Sequence, residues 1–151
     1  MSLPDKTVLF ICVENACRSL MAEAMFNANP PPGWVAVSAG TRPANAPNER
    51  TGPMLAELNL PQPGHPPQLL TEGMMDSALI RVTMGCLDDA SCPAHLKGLA
   101  LRDWALPDPA KLDDAGFREV RDRLARQVKG LRVELLLSDR AIHQNLQGRS
   151  R

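Results

Sequence analysis

Tyrosine is absent from this chain of 151 residues, and aromatic side chains amount to only 3% of it. Any aromatic clamp around a substrate ring would have to come from Trp104 or Trp34. Net charge is absent as well, with 17 basic and 17 acidic residues. That argues against a binder of nucleic acid or of an anionic membrane, which needs a basic excess, but leaves room for a small anion held by a few local groups. No basic-then-apolar leader opens the sequence and no apolar run approaches membrane-spanning length. A soluble, cytoplasmic protein is expected. Cysteine is sparse, at four residues, and in a reducing compartment these point to catalysis or metal binding rather than a disulfide framework. Neither an internal repeat nor a linker is visible, so residues 1–151 are expected to form one domain, its polar end from Asp139 onward inclined to fray.

What is present is an alternation of strands and helices. "KTVLFIC" (Lys6 to Cys12) is a β-branched, aromatic run that predicts a buried strand. "RSLMAEAMFNAN" follows with Met21, Ala24, Met25 and Ala28 at helical spacing, and "PPPG" stops it. "WVAVSAG" (Trp34 to Gly40) predicts a second strand, "NERTGPMLAELNL" a helix in its second half, and "PQPGHPPQ" a rigid extended loop. "ALIRVTM" (Ala78 to Met84) and "LALRDWAL" (Leu99 to Leu106) predict a third strand and a weaker fourth. From Asp113 a long helix carries Phe117, Val120, Leu124, Val128, Leu131 and Leu135 as one apolar stripe. The fold class is therefore α/β: a four-stranded parallel sheet with helices on both faces.

In such sheets ligands bind beyond the carboxyl ends of the strands. Cys12, its loop and Arg18 follow the first strand, Cys86 and Cys92 the third, and Asp108, between Pro107 and Pro109, the fourth. All three segments fall on one edge. A thiol attacks as its thiolate, and an ordinary cysteine is mostly protonated at neutral pH. Beside a helix N-terminus, unpaired N–H groups and the positive end of the helix dipole favour the anion. Arg18 adds a planar cationic fork suited to a tetrahedral oxyanion. Ser19 can donate to the thiolate, and Asn15 can tie the loop to itself. The same donors cradle a phosphate-shaped ligand, so the loop after the first strand reads as a phosphate-binding loop with Cys12 aimed at the central atom of the anion it holds.

"CVENACRS" is a C-x5-R-S signature. With the preceding strand and the following "MAEA" it resembles the low-molecular-weight protein tyrosine phosphatase superfamily. "VTMGC…CP" and "W-x-L-P-D-P-A" resemble more specifically its thioredoxin-coupled arsenate reductase branch, over nearly the whole chain from Lys6. The resemblance implies Cys12 as nucleophile and Arg18 and Ser19 as oxyanion-binding and thiolate-stabilising groups. It implies Asn15 as a loop brace, Asp108 as general acid, and Cys86 and Cys92 as a redox relay. The anion would lie on the loop formed by Cys12, Val13, Glu14, Asn15, Ala16, Cys17, Arg18 and Ser19, with Glu23 and Ser38 bracing it from behind. Glu14 stands where many members have glycine, so its carboxylate must point away from a bound anion. No metal or cofactor is implied. The partners implied are arsenate, with phosphate or sulfate as analogues, and thioredoxin as reductant.

Simpler readings compete. Cys12 as a buried structural thiol fits poorly with Arg18 and Ser19 at a helix start, whereas Cys17 reads as a packing residue. A rival reading assembles zinc from Cys86 and Cys92 with Cys12 and Cys17, but neither pair has the close spacing of a zinc knuckle. Asp108 reads otherwise as a turn residue between prolines, and His65, His95 and His143 as solvated loop or tail residues. Phosphate and arsenate are alike in shape and charge, so the cradle does not separate a reductase from a phosphatase. The second thiol at the neighbouring strand end favours the reductase, and the alternative is a low-molecular-weight protein tyrosine phosphatase. In the reductase cycle Cys86 would displace arsenite as a Cys12–Cys86 disulfide, Cys92 would move the disulfide to Cys86–Cys92, and thioredoxin would reduce it.

Overall fold

Val8, Leu9, Phe10 and Ile11 are all fully buried, as expected of a central strand covered on both faces. The computed structural model describes residues 6–85 and 100–149, with side chains through residue 140. Its four strands, β1 (Lys6–Cys12), β2 (Trp34–Gly40), β3 (Ile80–Thr83) and β4 (Arg102–Asp103), form one parallel sheet in the order β2-β1-β3-β4. Among the described residues the helices are α1 (Arg18–Ala28), α2 (Thr51–Ala56), α3 (Glu72–Ser77) and α4 (Asp114–Arg149), and a 3-10 turn spans Pro109–Lys111. The chain is thus a single α/β domain with the four-stranded parallel sheet expected of it. Among the described residues no helix is long and apolar enough to cross a membrane.

Alternation along β1 divides the core. Val8, Phe10 and Cys12 face α1, α2 and α4, where Phe26, Leu55, Phe117 and Leu124 are buried with them. Leu9 and Ile11 face the other way, onto Leu70 and Met75 around α3. The stripe Phe117, Val120, Leu124, Val128, Leu131 and Leu135 is buried throughout, as its spacing predicts. For α1 a single apolar face understates the burial. Every residue from Arg18 to Phe26 is buried, because the helix lies between the sheet, α2 and α4, whereas Ala28 is exposed.

Several elements differ from the sequence reading, β3 among them, which spans Ile80–Thr83 within the expected Ala78–Met84. Among the described residues of the predicted Leu99–Leu106 run, strand hydrogen bonding covers Arg102–Asp103. Ala105 has φ +48°, and the Asp103 carboxylate takes its N–H at 3.0 Å. The ladder breaks there, although the N–H groups of Trp104 and Leu106 still donate to Thr83 and Met84 carbonyls. Opposite it, Gly85 has φ +88°, and a Cβ there would lie 2.6 Å from Ala105 Cα. Helix α3 is missing from the sequence reading because six residues show no period. Its one signal is Thr71, whose side chain accepts the Met74 N–H as an N-cap. At the other end of the chain the backbone is helical through Arg149.

The chain runs from β1 to β2 on one side and then crosses to β3 on the other. The winding reverses at the carboxyl end of β1, where Cys12 sits opposite Gly40, which is where such sheets bind ligands. Gly40 allows the loop after β1 to close over β2: an added Cβ would meet the Val13 oxygen at 2.5 Å and the Asn15 nitrogen at 2.9 Å. Both contacts are backbone and cannot swing aside. We expect Gly40→Ala to cost about 1–3 kcal/mol of stability and to weaken phosphate binding. Gly64→Ala, where a Cβ meets nothing within 4 Å, should be neutral or slightly stabilising. Urea unfolding with phosphate titration checks both, and equal behaviour of the two variants would show that the close approach is unimportant.

Candidate active site

The loop between β1 and α1 turns on Asn15, a fully buried residue with φ +52°. Its backbone N–H donates to Cys12 Sγ at 3.2 Å. The Asn15 Oδ1 accepts the backbone N–H of Gln68 at 3.0 Å, which fixes the amide orientation, since a peptide N–H only donates. The Asn15 Nδ2 therefore faces two hydroxyls and donates to Ser19 Oγ at 2.7 Å and Ser38 Oγ at 3.0 Å. Each serine has one proton left to give. Ser38 gives its proton to Glu23 Oε1 at 3.0 Å, and the Ser19 hydroxyl lies 2.9 Å from Cys12 Sγ, where it can donate to a thiolate or accept from a thiol. Cys12 sulfur thus has a backbone N–H donor and a hydroxyl within hydrogen-bond distance.

A second set of bonds orients the loop backbone. Thr41, Arg42, Ala44 and Asn48 N–H groups take the carbonyls of Cys12, Val13, Glu14 and Ala16, at 2.8–3.2 Å. The buried Thr51 hydroxyl adds a bond to the Ala16 carbonyl at 2.7 Å. All peptides are trans, so carbonyls turned outward to this strap turn the N–H groups of Val13, Glu14, Asn15 and Cys17 the opposite way. Helix α1 begins at Arg18 without a side-chain cap on its first turn. Arg18, 5% exposed, reaches across both strand ends, its Nη1 donating to the Met84 and Leu106 carbonyls at 3.2 and 2.8 Å.

Cys12, Arg18 and Asp108 line one cavity of about 300 Å³, together with Val13, Glu14, Ala16, Cys17 and Lys111. Of the three segments expected at this sheet edge, the Cys12 loop and the Asp108 turn meet in it. Cys86, Cys92 and His95 lie outside the described residues, as does the side chain of His143, so the zinc arrangement falls outside them too. Asp108 Oδ1 accepts the Ala110 N–H at 3.0 Å and caps the 3-10 turn. Burial pushes the Cys17 thiol up to about 12, outweighing the hydrogen bond from Thr51 that lowers it; the negative charge of Asp108 and the neighbouring Cys12 raise it further. Cys17 therefore stays protonated, in keeping with a packing role. No aromatic residue lines the cavity. Trp34 begins β2 at the opposite edge of the sheet, and Trp104 packs on Phe10 with ring centroids 5.6 Å apart.

His65 corrects the sequence reading, which leaves it solvated. The proline-rich loop returns it, half-buried, onto Glu23, with Nε2 at 2.9 and 2.8 Å from the two carboxylate oxygens and Nδ1 at 2.8 Å from the Pro66 carbonyl. A carbonyl and a carboxylate both accept, an arrangement that favours hydrogen on both ring nitrogens, the imidazolium form. Burial opposes that charge but is outweighed by the Pro66 and Glu23 hydrogen bonds, and the pKa is raised from its ordinary 6.5. Also missing from the sequence reading are Gln68, which fixes the Asn15 amide, Thr51, and Lys111 at the cavity. The one available signal was that His65 and Gln68 are polar side chains in an otherwise rigid, proline-rich loop.

The charged ring contributes stability in full below the unfolded pKa near 6.5, and the contribution is lost as pH rises through the higher folded value. The unfolding free energies of the parent and His65→Gln should therefore differ most near pH 6 and converge toward alkaline pH. Chemical unfolding across pH 5.5–9 measures this, and a difference independent of pH would remove the imidazolium as its source.

Comparison with known proteins places these features in context. The sequence profile described as "Low molecular weight phosphotyrosine protein phosphatase" matches residues 7–143. An arsenate reductase of Staphylococcus epidermidis is 30% identical over 127 residues, 84% of this chain and 96% of that protein. Among solved structures, an arsenate reductase from Archaeoglobus fulgidus superposes with a TM-score of 0.70 at 32% identity, covering 82% of this chain and 97% of that one. A thioredoxin-dependent arsenate reductase of Corynebacterium glutamicum gives 0.75 at 28% identity, covering 91% of this chain and 65% of that one. The family profile spans nearly the whole domain, from β1 into α4, and the chain belongs to the low molecular weight phosphotyrosine protein phosphatase family.

Proposed function

We propose that this protein reduces arsenate to arsenite, with Cys12 as nucleophile and electrons supplied through its own cysteines. The observation that carries the reading is the cavity itself. It brings Cys12, Arg18 and Asp108 together in a space for a small oxyanion, with no aromatic side chain to grip a phenyl ring. Relatives of about 30% identity that bear the name arsenate reductase support it.

The loop N–H groups and Arg18 hold the tetrahedral anion, and the Cys12 thiolate attacks arsenic. A sulfur–arsenic bond forms, an arsenic–oxygen bond breaks, and Asp108 as the acid gives its proton to the departing oxygen, which leaves as water. Ser19 holds the sulfur in its reactive form before attack. A second thiolate, Cys86, then attacks Cys12 Sγ. The Cys12–Cys86 disulfide forms, the sulfur–arsenic electron pair stays on arsenic, and arsenic passes from the pentavalent to the trivalent state and leaves as arsenite. Two thiols have supplied the two electrons. Cys92 displaces Cys12 by thiol–disulfide exchange, and a dithiol protein of the thioredoxin kind reduces the Cys86–Cys92 disulfide.

The test is arsenite production with and without thioredoxin, run beside hydrolysis of an aryl phosphate. Sustained turnover only with thioredoxin is expected. Cys12→Ser should abolish it, an alcohol being scarcely ionised at neutral pH. Cys92→Ser should release about one arsenite per enzyme and stop as a Cys12–Cys86 disulfide, identified by mass spectrometry. Brisk aryl phosphate hydrolysis without arsenite would make the protein a phosphatase, and unimpaired turnover of Cys92→Ser would remove the relay.

A further inference from the structure

The turn that carries Asp108 has little holding it by itself. The strand before it is two exposed residues long, and between Leu106 and Leu112 only Leu106 and Pro109 are buried. Its position is set from outside by Arg50, which stands just before α2 and does not line the cavity. The Arg50 Nη1 donates to the Leu112 carbonyl at 2.9 Å and to Asp114 Oδ1 at 3.2 Å, while Nη2 donates to the Pro109 and Ala110 carbonyls at 3.3 and 3.2 Å. The guanidinium lies over the Phe117 ring, 4.7 Å from its centroid. Three carbonyls converge on one planar fork only if the chain after Asp108 curls around it.

Arg50 is in turn registered to the anion loop. Its backbone N–H donates to Asn48 Oδ1 at 2.9 Å, and the Asn48 N–H takes the Ala16 carbonyl at 3.1 Å. A short path therefore runs from the loop that holds Cys12, through Asn48 and Arg50, to the turn that begins at Asp108. On the far side, Arg18 holds the same segment by the Leu106 carbonyl.

We infer that Arg50 is a positioning residue, which fixes Asp108 at its working distance from the Cys12-bound anion. The inference rests on the reading of Asp108 as the acid. Arg50 touches neither anion nor sulfur, so its loss leaves binding intact and slows the step that needs the proton. Lysine is no substitute, since a point charge does not bridge several carbonyls with a planar fork.

The experiment measures single-turnover arsenite release and phosphate affinity in Arg50→Met, Arg50→Lys, Asp108→Asn and the double variant Arg50→Met/Asp108→Asn. A misplacement of about 1 Å costs up to roughly a hundredfold, so Arg50→Met should slow release by about ten- to a hundredfold, and Arg50→Lys nearly as much. Phosphate should bind all four with nearly parental affinity, which also shows that the cradle is folded. In the Asp108→Asn background the Arg50→Met loss should vanish, because the group it positions is gone. An equal loss in that background, a loss of phosphate affinity in step with rate, or parental release by Arg50→Met or Arg50→Lys would overturn the inference. Parental release by Asp108→Asn would overturn the acid reading instead, and the inference with it.

Discussion

The bond from the Gln68 N–H to Asn15 Oδ1 orients the amide at the base of the site. A side-chain amide can be reversed end for end, and hydroxyl protons rotate, so the same heavy atoms allow a chain of bonds pointing either way. With Oδ1 committed to a backbone donor, Nδ2 must serve Ser19 and Ser38. The Ser38 proton is then sent to Glu23, and the Ser19 hydroxyl is held beside Cys12. The charge on Glu23 is balanced by His65. Thus a loop residue beyond β2 helps place the hydroxyl beside the sulfur at the end of β1.

The same economy governs the backbone. A loop that holds an anion must show it N–H groups and hide its carbonyls, and hidden carbonyls need partners. The segment from Thr41 to Thr51 supplies them one after another, and Gly40 keeps the two segments close enough to pair. Asn48, at the far end of that strap, adjoins Arg50, so the residues that orient the cradle also lead to the turn bearing Asp108. The Cys12 loop and the Asp108 turn come from distant parts of the chain, yet the strap and Arg18 bind them as one unit.

Much of this was legible in the sequence because it rests on local patterns. The run before Cys12, the six-position stripe from Phe117 to Leu135, and the placing of Cys12 and Asp108 beyond strand ends need only period and order. What was not legible depends on where a flexible connection returns. Nothing local to "PQPGHPPQ" says that His65 lands on Glu23 or that the Gln68 backbone meets Asn15. Arg50 looks like any surface arginine until Pro109, Ala110 and Leu112 close around it. Short β4 fails for a related reason: its extent is limited by the left-handed Ala105 facing Gly85, a constraint with no period to read. Helix α1 was understated because three neighbours bury it all round.

The cavity has no ring to stack a substrate on, and its polar groups are arranged about Cys12 itself, as suits an anion that is nearly all reacting centre. The account therefore stands on the polarity that Asn15 imposes. Asn15→Asp keeps the shape of the side chain but removes the donors to Ser19 and Ser38. Hydrogen bonds to charged groups contribute about 1.5–3 kcal/mol, so single-turnover arsenite release by Asn15→Asp should fall by roughly ten- to a hundredfold. Release at the parental rate would contradict the account.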